Sequence, residues 1–318
     1  MKKILVLLSL LSSVSFATKS DIYYFDKAHE VLSDWIYNTS NSLDLFFAKK
    51  DIDSLHSTGS YLDLSFNSYA EERRELRYRL NVKFRLRLPR TQKRWNLIFE
   101  DYKKTLSTDK QNSDTIGDSL ENNSYILGIQ MEKIKSKFIE VNFGGGVHFS
   151  GISPDVYTSL YLNKDFYNSL SWQFEISNRT RYFIRKKLDN TFSVSLSKIL
   201  SEKTKFSFQN SYRFIEDQNY LNETENSFLI EQYLGKKEGL YYALSAYSFG
   251  DRDRDFKLNY YLAQVSYKRY FYHNYAYYEL SPGIIFRREN SFRPSAKIVF
   301  KIGIYFGKTI TLAYKKFK

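Results

Sequence analysis

The sequence predicts an all-β protein, a transmembrane antiparallel up-and-down β-barrel of about fourteen strands (twelve to sixteen are compatible), preceded by a short amphipathic helix. Three observations predict it. The first is the stretch Leu76–Leu88, which reads L-R-Y-R-L-N-V-K-F-R-L-R-L: every residue of one parity is apolar or aromatic, and every residue of the other is Arg, Lys or Asn. Only a β-strand sends successive side chains to opposite faces and sorts residues this cleanly; on a helix the arginines would wrap all round. A barrel strand explains both faces, with the apolar side on lipid, the polar side on a wet lumen, and ~9–11 residues spanning the bilayer. The second observation is an aromatic share of 18%, with 28 Tyr and 26 Phe, as interfacial girdles require, beside only 4 Pro to interrupt strands. The third is that alternating segments follow one another from about residue 57 to residue 306, separated by turn-rich connections.

The chain has 318 residues and a formal charge of +13. It opens on M-K-K-I-L-V-L-L-S-L-L-S-S-V-S-F-A, where Lys2 and Lys3 precede an apolar run from Ile4 and where Ser15 and Ala17 occupy the small-residue cleavage positions. Residues 1–17 therefore read as a signal peptide for export by the Sec pathway and are set aside from the fold. Beyond them no apolar run reaches the ~18 residues of a membrane helix. The mean hydropathy of −0.49 suits a barrel in which every second strand residue meets water. The absence of Cys excludes disulfides, a thiol nucleophile and Cys-ligated zinc or iron–sulfur centres, and the sequence suggests no metal or other cofactor. An exported chain without a nucleic-acid-binding motif is not expected to use its charge on nucleic acid. The expected partners are outer-membrane lipid and lipopolysaccharide, small and possibly anionic solutes, and the outer-membrane assembly machinery.

Residues 18–56 are expected to be periplasmic, an amphipathic helix and a linker. A polar-aromatic lead over 18–25 gives way to helical period from Lys27 to Phe47, where Ala28, Val31, Leu32, Trp35 and Ile36 form a stripe continued by Leu43, Phe46 and Phe47. Asn38–Asn41 is a poor helix interior and predicts a kink or two short helices. Such a helix packs under the barrel or on the inner leaflet, or else enters the lumen as a plug.

Strands are then expected at Tyr61–Tyr69, Leu76–Leu88, Arg94–Tyr102, Tyr125–Glu132, Phe138–Phe149, Val156–Leu162, Leu170–Ile184 and Phe192–Leu200. They continue at Lys205–Arg213, Ser227–Leu234, Leu240–Phe249, Lys257–Tyr270, Tyr275–Arg288 and Ala296–Phe306. Ser227–Leu234 and Lys257–Tyr270 carry Tyr on both parities, which blurs their faces. Short and long connections are expected to alternate, residues 103–122 forming an extracellular loop, with both termini periplasmic. The tail 307–318 alternates at Ile310, Leu312 and Tyr314 and competes for the place of last strand.

Signal peptide, alternating strands, aromatic load and loop asymmetry together resemble the general class of single-chain outer-membrane β-barrels of Gram-negative bacteria. The resemblance is architectural and implies a monomeric porin-like channel or solute-binding barrel, against a lumen-filled barrel that does not conduct. Opposing the apolar residues of neighbouring strands sets a register that places Asp63 across from Lys83, Asn67 from Arg79 and Tyr69 from Arg77, with Glu100 across from Lys83 on the other side. The expected lumenal ladder is Arg77, Arg79, Lys83, Arg85 and Arg87, its acidic partners Asp63, Glu100, Glu140 and Glu175, and its consequence a preference for anions.

His148-Phe149-Ser150 resembles the His-x-Ser of outer-membrane lipid hydrolases, in which a His base and a Ser nucleophile share one barrel face. Val147 and Phe149 hold the lipid-facing parity, so His148 and Ser150 point inward, and Leu162 stands where those families place an orienting polar residue; no catalytic residue is assigned. Asp109, Asp114, Asp118 and Glu121 lack calcium-loop spacing. Asp251-Arg252-Asp253-Arg254-Asp255 is expected to pair with itself or with lipopolysaccharide.

Overall fold

The computed structural model describes residues 19–47, 60–88, 95–102, 124–135, 139–150, 153–167, 172–273 and 275–307. The predicted leader, the linker, the loop 103–122 and the tail beyond 307 lie outside them. A helix, α1 (Lys19–Phe47), is followed by β1 (Tyr61–Glu71), β2 (Arg77–Leu88), β3 (Trp95–Asp101), β4 (Ser124–Lys135), β5 (Glu140–Ser150), β6 (Ser153–Tyr167) and β7 (Trp172–Phe183). Next come β8 (Lys187–Ser201), β9 (Thr204–Ile215), β10 (Leu221–Tyr233), β11 (Glu238–Gly250), β12 (Lys257–Tyr272), β13 (Ala276–Arg287) and β14 (Pro294–Phe306). Each strand pairs antiparallel with its neighbours in sequence, and β1 pairs with β14 to close the ring. The fourteen-strand barrel expected from the sequence is the fold observed.

The alternation that revealed the strands also sets their faces. On the outside, Phe66, Leu80, Ile129, Phe143, Phe228, Leu244 and Ile284 are exposed. On the inside, Asp63, Ser65, Asn67, Arg79 and Asn81 are buried. The register of the first three strands is the one the apolar matching requires: Phe66 opposes Leu80, Asp63 opposes Lys83, and Leu88, Leu86 and Phe84 oppose Trp95, Leu97 and Phe99.

Several strands outrun their sequence signal. β8 begins at Lys187 rather than Phe192, and β10 at Leu221 rather than Ser227. There the outer face turns polar, so the alternation fades although the ladder continues. The outward Asn178, Thr180 and Asn190 hydrogen-bond to one another on β7 and β8, Asn190 Nδ2 donating to Thr180 Oγ1 at 2.7 Å.

Among the described residues the connections differ less in length than expected: 72–76, 184–186, 216–220, 251–256 and 288–293 at one rim run three to six residues, against two and four for 202–203 and 234–237 at the other. With the ladders extended almost to the turns, the polar stretches that looked like loops are largely strand.

The helix differs too. It starts at Lys19, runs as one continuous helix through Asn38–Asn41, and neither lies under the barrel nor enters it. α1 lies against the outer wall, across the strand ends of the rim where β1 begins and β14 stops. Ile36 is fully buried against Leu86 and Phe306, with Leu32, Leu43, Leu62, Leu64, Phe84, Leu97 and Ile304 packed around it. Burying Ile36 contributes about 1.5–3 kcal/mol. Polar contacts follow the strand ends in order. Asp26 accepts from Tyr272 and Tyr275, His29 Nε2 bonds the Tyr305 carbonyl at 2.7 Å, and Ser33 Oγ accepts from the Gly307 N–H at 3.1 Å. Ser40 Oγ donates to the Arg87 carbonyl at 2.9 Å and lies 2.8 Å from Ser60 Oγ. These tertiary bonds override the weak helix propensity of the Asn38–Asn41 stretch.

The hydrogen bonds from Tyr275 and Tyr272 hold the Asp26 carboxyl below its ordinary value of 3.8. A depressed carboxylate stabilises docking above its unfolded pKa, and that share is lost as pH falls through the folded pKa. The helix is therefore expected to loosen from the rim under acid, below about pH 4, while the barrel persists. Hydrogen exchange of residues 26–40 at pH 7 and pH 3 checks this. Equal protection at the two values, or an Asp26→Asn protein that still loosens at pH 3, removes the carboxylate from the docking.

Candidate functional site

The inner wall is the candidate site, and its groups divide into a water-accessible column and two nearly dry clusters. The column is β2. Arg77, Lys83 and Arg85 are half-buried, Arg79 is buried at 6% exposure, and Arg87 is exposed at the rim. Across on β1 the opposing residues are Tyr69, Asp63, Tyr61 and Asn67 for Arg77, Lys83, Arg85 and Arg79 in turn. All five cations make contacts of their own within the protein.

The first dry cluster sits between β3 and β10, toward the rim away from α1. The Arg213 guanidinium grips Asp189 with both arms, Nε to Oδ1 and Nη2 to Oδ2 at 2.9 Å each, and lies 3.9 Å from Glu223. Tyr102 donates to Asp189 Oδ2 at 2.5 Å, and the cations of Arg181, Lys186 and Arg213 lie over its ring, 5.6, 5.5 and 4.9 Å from the centroid. Arg213 and Asp189 are each 3% exposed, so the pair escapes solvent screening.

Beneath it lies an aromatic floor. Tyr157 and Phe183 stand opposite each other on β6 and β7, and Tyr102 and Ile126 pack with them. Tyr157 fits because Gly128 and Gly146, paired across β4 and β5, leave the wall bare. A Cβ on Gly128 would collide with the Tyr157 ring and hydroxyl, and one on Gly146 would stand 2.5 Å from Gly128 Cα. The sequence reading expected Gly144–Gly146 to permit a bend or a close approach, and a close approach is what they permit.

The second dry cluster lies on β12, β13, β14 and β1. Glu279 stands across from Lys268 on one side and Lys301 on the other, and Lys301 stands across from Asn67 on β1. Tyr277 donates to Asp63 Oδ1 at 3.0 Å and carries Lys268 and Lys301 over its ring, at 4.6 and 5.4 Å. Glu279 and Tyr277 are fully buried and Lys301 is 1% exposed. Higher on the same wall Arg287 holds Glu71 by two bonds, at 2.7 and 2.9 Å.

The remaining acids of the sequence reading are distributed as follows. Asp63 belongs to the Tyr277 cluster as well as standing across from Lys83. Glu140 accepts from Asn142 Nδ2 at 2.8 Å on its own strand. Glu175 is buried on the inner face of β7, and the side chain of Glu100 on β3 lies outside the described residues. Sequence reasoning missed Tyr102, Asp189, Arg213, Tyr277, Glu279 and Lys301. Arg181 opposes Asp189 and Arg213 opposes Glu223, but both acids lie outside the segments read as strand, so no register was set for them.

His148 points inward as its parity requires and is fully buried, its ring edge-on to Tyr102 and Phe183 at 4.6 and 5.6 Å. Neither ring nitrogen has a hydrogen-bond partner among the described residues. Ser150 is exposed at the end of β5. The base-to-nucleophile contact that hydrolysis needs is not made there. Within 251–255 Arg254 Nε donates to Asp251 at 2.8 Å, while Asp255 meets Lys257, just beyond the stretch, at 2.8 Å. The Arg254 bonds draw the Asp251 carboxyl below its ordinary value.

No family model matches the chain, and no curated protein matches it in sequence. Among solved structures it is similar to a loop-deletion mutant of OmpT, an outer membrane protein of Vibrio cholerae, at 10% identity and a TM-score of 0.48, over 77% of this chain and 98% of that one. The outer membrane channel DcaP of Acinetobacter baumannii gives 7% identity and a TM-score of 0.46 over 81% and 99%. The KdgM porin gives 6% and 0.37 over 78% and 99%. At these scores the likeness carries nothing about solute or activity.

Proposed function

We propose that the chain is an outer-membrane barrel with a porin-like path for small polar solutes, anions in preference to cations. The supporting observation is the β2 column, where Arg77, Lys83 and Arg85 keep water access on the inner wall of a closed barrel whose outer wall is apolar. Cations gathered on one wall of a low-dielectric tube focus the field and raise the local anion concentration. The two dry clusters take up cross-section on the other walls, so solutes that pass are small. On this reading residues 1–17 are the export signal, α1 lies at the periplasmic rim, lipopolysaccharide surrounds the opposite rim, and the assembly machinery inserts the barrel.

A second reading, a sealed barrel without conductance, is favoured by the near-zero exposure of Glu279 and Lys301, which an open channel would leave wet. Planar-bilayer recording separates the two, because a sealed barrel gives no current steps. For the conducting reading, the reversal potential under a salt gradient is expected on the anion side and should move toward the cation side in Arg77→Ala/Arg85→Ala. Cation selectivity of the unmodified protein, or an unmoved reversal potential in the double variant, would count against the arginine column.

A further inference from the structure

Helix α1 carries three stripes at helical spacing, and the first of them makes the rim contacts. Asp26, His29, Ser33, Ile36, Ser40 and Leu43, spaced by three and four, make the rim contacts already described. On the far side of Leu32 runs a second stripe, Tyr24, Ala28, Val31 and Trp35, at the same spacing. It is apolar and open, Tyr24 being 69%, Val31 61% and Trp35 56% exposed. A third stripe, Lys27, Glu30, Asp34 and Asn38, is charged or polar.

The contacts of the first stripe orient the other two. Its polar members reach the strand ends and turns, Ser60, Gly307 and Tyr272, whereas Leu32, Ile36 and Leu43 belong to the apolar cluster that includes Leu62, Leu64, Leu86, Ile304 and Phe306 of the outer wall. The second stripe flanks Leu32, so it faces away from the barrel on the side of the apolar wall. The third flanks Ser33 and Asp26, so it faces away on the side of the rim. The open apolar stripe is thus continuous with the outer wall of the barrel, and the charged stripe is continuous with water.

We infer that α1 is an interfacial helix whose Tyr24–Trp35 stripe sits among the acyl chains and headgroups of the leaflet at its rim, a lipid surface being its partner. This rests on the reading that the barrel spans a membrane. The chemistry agrees with an in-plane helix that buries its apolar face at the headgroup boundary and keeps its charges in water, with Trp and Tyr at the interface. A protein partner would have to compete with lipid already covering the wall next to the stripe.

The chain has no Cys, so single-cysteine variants place a fluorophore cleanly. Val31→Cys and Glu30→Cys, each labelled with an environment-sensitive dye, are reconstituted in phosphatidylcholine vesicles with or without shallowly brominated chains. A third label at Leu244→Cys, on the outer wall of β11, reports the barrel itself. The expected result is quenching by bromine at 31 and 244, and quenching by aqueous iodide at 30. Equal responses at 30 and 31, or iodide quenching at 31 with bromine quenching at 244, overturn the interfacial helix and leave the membrane barrel standing. Loss of bromine quenching at 244 overturns the membrane reading itself. If label at 31 disturbs docking, as loss of protection at residues 26–40 would show, emission from Trp35 after Trp95→Phe and Trp172→Phe gives the same comparison: bromine quenching supports the inference and iodide quenching overturns it.

Discussion

Gly146→Ala is expected to prevent assembly of the barrel. The added methyl would meet Leu127 backbone, with the carbonyl carbon at 2.9 Å, and Gly128 Cα at 2.5 Å. Backbone in the middle of a closed ladder cannot yield as a side chain can. The cost therefore exceeds the ~1–3 kcal/mol of ordinary overpacking, and relief would require shifting the β4–β5 pairing. Gly145→Ala, one residue away and on the opposite face, meets nothing closer than the Tyr157 carbonyl at 3.2 Å, and Gly235→Ala meets only the Glu238 side chain, at 3.6 Å and beyond. Those two proteins should fold. The measurement is heat-modifiable migration after refolding into detergent. A Gly146→Ala protein that migrates as a folded species and melts with the parent would show that the glycine wall is not needed.

Arg213→Ala and Asp189→Ala are each expected to cost about 3–5 kcal/mol, because either change strands its partner's charge in a site that water does not reach. The combined Arg213→Met/Asp189→Leu protein should recover most of that loss, since removing both charges removes the desolvation cost together with the attraction. Tyr102→Phe removes one donor to Asp189 and should cost less, about 1–3 kcal/mol. Urea unfolding of the detergent-refolded proteins gives the comparison. Single variants within 1 kcal/mol of the parent would mean that water reaches the pair, and the lumen at that height would then be open rather than dry.

The sequence carried the outer face best. Leu76–Leu88 fixed a strand, its two faces and, by matching Phe66 with Leu80 and Leu86 with Leu97, the registers on both sides. That success came from one rule, that residues facing lipid must oppose residues facing lipid. The rule weakens where strands leave the apolar band. Asp189 and Glu223 lie in such extensions, outside the segments read as strand, so their pairing with Arg181 and Arg213 was out of reach even though those partners sit directly across. Contacts across the lumen are harder still. Tyr102 and Asp189 meet on an inner wall with several strands between them, and no local pattern encodes that meeting. The helix shows a third limit. Its amphipathic period was legible, but its polar buried stripe of Asp26, His29, Ser33 and Ser40 matches strand ends whose position depends on closure.

That dependence has a consequence for the order of events. The partners of α1 come from opposite ends of the chain: Ser60, Leu62 and Leu86 from the first two strands, and Tyr275, Tyr305 and Phe306 from the last two, His29 and Tyr305 being separated by 276 positions. The helix is made first, yet the groove it occupies is completed only when the final strand meets the first. Until then its apolar side has only the residues of β1 to β3 to rest on, and its polar bonds to Tyr272, Tyr275, Tyr305 and Gly307 are unmade. Full docking is thus the last step that folding permits and a local record that the ring has shut. A barrel stalled with β14 unpaired would display an unseated helix at its edge, which distinguishes an incomplete molecule from a finished one.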